Sequence, residues 1–316
     1  MYYPYFRGKR FELLLLRERA SLFGDNTIHP IIEPVRNAIS SLRNTARELV
    51  NHKTQFVLVI NPQCGELKTN PRPIFELVQA ELNEYSGLSL GYVVTAETDD
   101  DKLKRELKNY SSFNISIIHY GYADGKGLAA MLSGLSNIKE HIFIDGYAGN
   151  LYRKNFENCD KPRILIRDGF KIRRNDAYPA TEHFSDLHLT YPSEGMQGFG
   201  DFLIIGEEYR DKGFAAYAVV IHLTYLNKDN DMHIKHFISD RTGSTADPAG
   251  KFGEACSKLV SEINSRDSEI YVSDACNEYM GMPYRGLGFL KKLSMQHHLE
   301  LIAEHVLKRK KNTGGK

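Results

Sequence analysis

Short apolar runs along this chain keep ending in residues that can bind a ligand or move a proton. His29-Pro30-Ile31-Ile32 runs into Glu33, and Phe56-Val57-Leu58-Val59-Ile60 runs into Asn61. Residues 114–118 end at His119-Tyr120, 141–144 at Asp145, and 163–166 at Arg167-Asp168. Residues 202–205 lead to Glu207-Glu208, and 216–223 carry His222 with Thr224 just beyond. Carboxylates and imidazoles are the usual general acid–base groups, and arginine or lysine beside them suits an anion. Glu33, His119 and Glu207 are therefore the candidate acid–base residues. Tyr5, Arg7, Lys9, Asn61, Arg167, Lys171 and His222 are the candidate ligand-holding residues. Lys171 is joined by Arg173 and Arg174 after the sixth run. Each has a plainer role to weigh beside that one. Asn61, Asp145 and Asp168 also make local turns. His119 and His222 also serve as hydrogen-bonded core histidines, and Tyr3 and Tyr5 as plugs of a barrel. Glu33 stands apart, because a carboxylate between Ile32 and Pro34 adds nothing to a turn.

Strand-end chemistry converges only if the strands run parallel and end on one face, as in an α/β barrel. The periodicity supports that arrangement. Eight apolar strand candidates lie near residues 31, 57, 91, 116, 143, 165, 203 and 220. Helical spacing separates them at 11–22, 37–51, 73–85, 99–107 and 127–135. Runs that are apolar throughout are what strands covered on both faces require. The expected architecture is a (β/α)8 barrel, with an open doubly wound sheet as the alternative. Residues 170–200 are polar and turn-rich, and read as an insertion or long loop after the sixth strand. Residues 240–316 read as a mostly helical extension packed on the barrel, making 1–316 a single domain. A strand at 234–238 is expected just before that extension, and helices at 252–263 and 289–308 with a short run at 270–272 within it. If the helix at 11–22 descends before an ascending first strand, Tyr3, Tyr5, Arg7 and Lys9 stand near Glu33 at the reactive face.

Composition narrows the classes. With 41 Lys+Arg against 40 Asp+Glu, the formal charge of +1 gives no overall pull toward nucleic acid or a membrane. The basic tail Lys308, Arg309, Lys310 and Lys311 suits a solvated helix end. Four cysteines without a CxxC pair argue against a zinc knuckle or a disulfide framework. The opening residues lack a basic start followed by an apolar run, and Leu13 to Leu16 is far too short for a membrane span. The expected compartment is the cytoplasm. The stretch from Gly243 to Lys251 imitates a phosphate loop, but its glycines are too far apart and Phe252 replaces the magnesium-binding Ser/Thr. It reads as a loop opening a helix. Glu33, Asp145, Asp168 and Glu207 could hold magnesium through oxygens, yet their spacing does not require a metal.

Two segments carry a family resemblance. The opening Tyr2-Tyr3-Pro4-Tyr5-Phe6-Arg7-Gly8-Lys9-Arg10-Phe11-Glu12-Leu13, with Pro30-Ile31-Ile32-Glu33-Pro34, resembles the phage and bacterial "protein beta" family. The closing Gly286-Leu287-Gly288-Phe289-Leu290-Lys291-Lys292-Leu293 and Gln296-His297-His298-Leu299-Glu300 look like the end of one bacterial branch of it. The resemblance implies a barrel-like α/β fold and a setting near mobile-element or phage-defence genes. It supplies no catalytic residues.

The expected function is binding of a phosphate-bearing small molecule or nucleic-acid end at the barrel's C-terminal face. The chemistry would be hydrolase- or phosphodiesterase-like if the chain is an enzyme. The alternative is a non-catalytic sensor that works with a partner protein encoded nearby.

Overall fold

The computed structural model describes residues 1–25, 27–211 and 216–307; the basic run from Lys308 to Lys311 lies outside them. The chain divides into two compact units. One comprises Met1–Arg167 and Leu187–Asp201, the other Asp168–Asp186 and the chain from Phe202 onward.

The first unit alternates strand and helix: β1 (Tyr2–Phe6), α1 (Arg10–Glu18), β2 (Ile31–Ile32), α2 (Ile39–Asn51), β3 (Phe56–Val59), α3 (Arg72–Leu77) and β4 (Leu88–Val94). It continues with α4 (Asp100–Asn109), β5 (Ile115–His119), α5 (Gly125–Ser133), β6 (Ile138–Ile144), α6 (Asn150–Lys154) and β7 (Arg163–Ile166). After β8 (Thr181–Ser185), which belongs to the second unit, α7 (Leu187–Thr190) and β9 (Gly198–Asp201) return to it. Eight strands close a parallel barrel in the order β1-β2-β3-β4-β5-β6-β7-β9. This is the expected (β/α)8 architecture, and closure leaves no edge strand to cap. Asp99 and Asp124 start α4 and α5 by accepting from the N–H groups of Lys102 and Gly127.

Six of the eight expected strands belong to the barrel; two do not, and two barrel strands, β1 and β9, were not expected. The first strand is β1, which pairs with β2 (Tyr5↔Ile31) and with β9 (Pro4↔Asp201). Its Pro4 weakens the strand signal, because proline cannot donate to the ladder. The closing strand is β9, not residues 202–205, and its Gly198-Phe199-Gly200-Asp201 has little strand propensity. The glycines are there for space. A Cβ on Gly200 would lie 2.0 Å from the Tyr3 carbonyl oxygen and 2.4 Å from Ile166 Cδ1. The run expected at 216–223 is a strand of the second unit. The stretch 170–200 holds β8, α7 and β9 rather than an unstructured loop, and residues 270–272 form no strand.

Inside the barrel, Glu140 accepts from the Tyr3 hydroxyl at 2.7 Å and from Ser116 Oγ at 2.7 Å. Ser89 meets Ser116 at 2.6 Å, and His29 Nδ1 meets the Tyr3 oxygen at 3.1 Å. All five are buried, so the interior near the start of the strands is a closed polar network.

The second unit has a three-stranded antiparallel sheet in the order β10 (Val220–Leu226), β11 (Met232–Ile238), β8. Three helices follow: α8 (Pro248–Ile263), α9 (Asp274–Gly281) and α10 (Leu287–Leu301). Asp247 caps α8 through the Gly250 N–H, so the phosphate-loop imitation does open a helix. Helix α10 is buried on nearly all sides. Its His297 Nε2 donates to the Thr224 carbonyl at 2.7 Å, and its His298 Nδ1 meets Thr224 Oγ1 at 3.0 Å. Among the described residues no helix is long and apolar enough to cross a membrane.

Candidate functional site

Groups from β1, β2 and β3 meet where these strands end. Glu33 follows β2, and its N–H donates to the Phe6 carbonyl at 2.8 Å, so strand pairing carries it beside Arg7. The Tyr5 hydroxyl donates to Glu33 Oε2 at 2.9 Å, and Arg7 Nη1 forms an ion pair with the same oxygen. From the loop after β3, the Gln63 N–H donates to Glu33 Oε1 at 2.6 Å, and Cys64 Sγ lies 3.6 Å from that oxygen. Arg7 Nη1 is 3.8 Å from the same sulfur. The chain turns at Gly8, whose φ of +62° suits glycine, and the Arg7 N–H donates to Glu12 Oε2 at 2.5 Å. A Cβ on Gly8 would meet the Glu33 carbonyl oxygen at 3.0 Å.

Glu33 is fully buried, and Arg7 is 7% exposed. A carboxylate in such a place persists only when paired and hydrogen-bonded. Burial works against the Arg7 charge, but Glu33 and Tyr5 outweigh it and hold the guanidinium firmly protonated. The Cys64 thiol is pushed up to about 12, by burial first and by Glu33 second, with Arg7 and Lys9 opposing. It is a neutral thiol at pH 7, not a nucleophilic thiolate. Lys9 is near enough for its charge to reach this cluster. Burial and Glu33 also raise Tyr5, which makes it a donor rather than a base.

Of the residues nominated from sequence, Tyr5, Arg7, Lys9 and Glu33 are brought together here. Asn61 stands at the same rim, but its amide extends the β-ladder: Nδ2 donates to the Val93 carbonyl and Oδ1 accepts from the Val93 N–H, both at 2.8 Å. His119 faces the helix layer rather than the rim. Side chains alternate along a strand, and Ser116 on β5 faces inward. His119 thus shares the outward side with Ile115 and Ile117. Its Nδ1 meets the Tyr152 hydroxyl at 2.7 Å and its Nε2 meets His141 Nδ1 at 3.0 Å, with Phe143 stacked on its ring. Burial, then His141, lowers it well below its ordinary value.

Arg167 is tied into a four-member network. It donates to Asp145 Oδ2 at 2.6 Å and Glu194 Oε1 at 2.7 Å, while Arg153 reaches the same carboxylates at 3.3 and 3.1 Å. Asp145 is held below the usual carboxylate range: burial opposes this, but Arg167 and Arg153 prevail.

Lys171, Glu207 and His222 belong to the second unit. Lys171 is exposed and lies 3.5 Å from Glu182. The Glu207 backbone N–H donates to Asp168 Oδ2 at 2.8 Å. His222 faces His236 across β10 and β11, with their Nδ1 atoms 2.7 Å apart, and Phe170 and Tyr178 meet its ring edge-on. Burial drives both imidazoles down, His236 to about 4. Among the described residues no three His, Cys, Asp or Glu side chains stand together as metal ligands.

Glu12, nominated with Arg7, Lys9 and Glu33 by its place in the opening motif, does reach the rim, but sequence reasoning missed Gln63 and Cys64 there and Glu140 inside the barrel. Gln63 and Cys64 had a usable signal, since they follow Asn61 in the same βα loop. Glu140 sits in the middle of a strand and had none. Comparison with protein-family models, curated proteins and solved structures finds no match for this chain.

Proposed function

We propose that the barrel unit is a binding module for an anionic, phosphate-bearing ligand, held at the rim beside Lys9, and that it does no chemistry on that ligand. One observation carries the reading: Glu33 is fully buried with both oxygens engaged by Tyr5, Arg7, Gln63 and Cys64. A general base needs a lone pair within reach of the proton that it takes. Glu33 instead fixes the ends of three strands, which preorganises a rim without supplying a catalyst. His119 and Arg167 are committed to internal partners. Lys9 lies on the half-buried turn leading into α1, whose first N–H groups favour negative charge. The phage-conflict setting implied by the family resemblance belongs to the same proposal, with the ligand as the signal sensed.

The test is calorimetric titration with inorganic phosphate and ribose 5-phosphate, alongside a turnover assay on phosphoesters. Binding that weakens about tenfold in Lys9→Ala, with no turnover, is expected for loss of one charge-assisted contact. Phosphoester hydrolysis by the wild-type chain, abolished in a folded Glu33→Gln variant, would return the enzyme reading.

A further inference from the structure

The geometry points to a second subsite on the same rim, and we propose that Tyr120 and Tyr147 form a stacking platform for a nucleobase. This rests on the phosphate-ligand reading above and names the ligand class as a nucleotide. Tyr120 directly follows β5, and Tyr147 follows β6. All strands of the barrel are parallel, so both residues emerge on the face where Arg7, Lys9 and Glu33 meet. The two rings stack with centroids 4.1 Å apart and planes 19° from parallel. Tyr147 is still 47% exposed, so much of the residue remains open to solvent beside that stack. Four residues on, at the start of α6, Leu151 is 82% exposed.

The chemistry beside the platform selects among occupants. Asp145, Arg167, Arg153 and Glu194 balance two positive charges against two negative ones, so this flank gives no net attraction to a charged peptide. They are also spent on one another. Asp145 Oδ2 accepts from Arg167, and its Oδ1 accepts from Arg153 and from the Gly146 N–H at 3.1 Å. A sugar needs hydrogen-bonding groups with capacity to spare, and these have little. What the site offers is a flat, partly exposed aromatic ring, and any nucleobase can stack on a π-face. The attached phosphate would take its charge complement from the Lys9 side of the rim.

The chain contains no tryptophan, so Tyr147→Trp introduces a single fluorophore at the platform. AMP, adenosine and ribose 5-phosphate are the probes. Quenching of that tryptophan by AMP is expected, together with roughly tenfold weaker AMP binding in Tyr147→Ala and unchanged ribose 5-phosphate binding. Since Tyr147 is exposed, its truncation leaves the fold in place, and circular dichroism confirms that. The platform is overturned if saturating AMP leaves the tryptophan signal flat, or if Tyr147→Ala binds AMP like the wild type. Ribose 5-phosphate binding as tightly as AMP also overturns it, while the phosphate reading stands. Adenosine quenching without any ribose 5-phosphate binding keeps the platform and removes the phosphate reading. Binding of none of the three removes both.

Discussion

Two buried polar clusters, one in each unit, solve the cost of burial in opposite ways. In the barrel, Arg7 and Glu33 cancel charge against charge, with Tyr5 and the Gln63 N–H completing the carboxylate's hydrogen bonds. In the second unit, His222 and His236 face each other through like atoms, and the contact holds only while at least one Nδ1 carries no proton. The first arrangement is an ion pair; the second needs at least one of the two imidazoles neutral. The first fails when a partner is removed, whereas the second fails as protons arrive.

The sharpest way to break the comparison is to remove one charge. Arg7→Ala leaves Glu33 buried without its cation and should cost about 3–5 kcal/mol of stability in urea unfolding. The double variant Arg7→Met with Glu33→Gln should cost much less, because no charge is stranded. Equal losses for the two would show that packing, not charge, dominates. Next comes acid. Burial depresses His236 to about 4, against an ordinary value near 6.5. The unfolded chain then takes the proton first, so stability is intact above about pH 6.5 and drains away as pH falls toward 4. The expected slope is up to about 1.4 kcal/mol per pH unit for each such histidine. Melting curves of a folded His236→Gln variant should show a shallower fall over that window. His119, also buried, adds the same sense of dependence within the barrel. A third, smaller effect concerns Arg167: with its partners about 29% exposed or less, Arg167→Ala should lose about 1 kcal/mol in the same urea assay. Last, Lys171→Ala, which removes an exposed ion pair at 3.5 Å, should change the melting temperature by an amount within error.

Much of the barrel was legible because β3 to β7 each carry a stretch rich in Ile, Val, Leu or Phe, as strands covered on both faces do. The two strands that close it were not. Pro4 in β1 and the glycines of β9 lower strand propensity for a reason visible only in three dimensions: Gly200 makes room for the Tyr3 backbone. At the rim, Glu33 was legible from its odd position between Ile32 and Pro34, and Arg7 from its place in the opening motif. His119 misled because the end of an apolar run does not reveal which side of the strand a residue faces. Arg167 misled because its neutralisers, Asp145 and Glu194, lie 22 and 27 residues away. Exposed tyrosines such as Tyr147 carry no periodic signal at all.

The pairing of Tyr2 with Phe199 also has a meaning for biosynthesis. Strand β1 finds its neighbour β9 only after some 200 further residues, or roughly 10–40 s of synthesis. Until then the nascent sheet has two open edges and no inside, and Tyr3 lacks the glycine-lined strand that makes room for it. Contacts so distant in sequence also slow folding. Before β9 emerges, the nascent sheet is open along β1 and β7, the two sides that β9 closes.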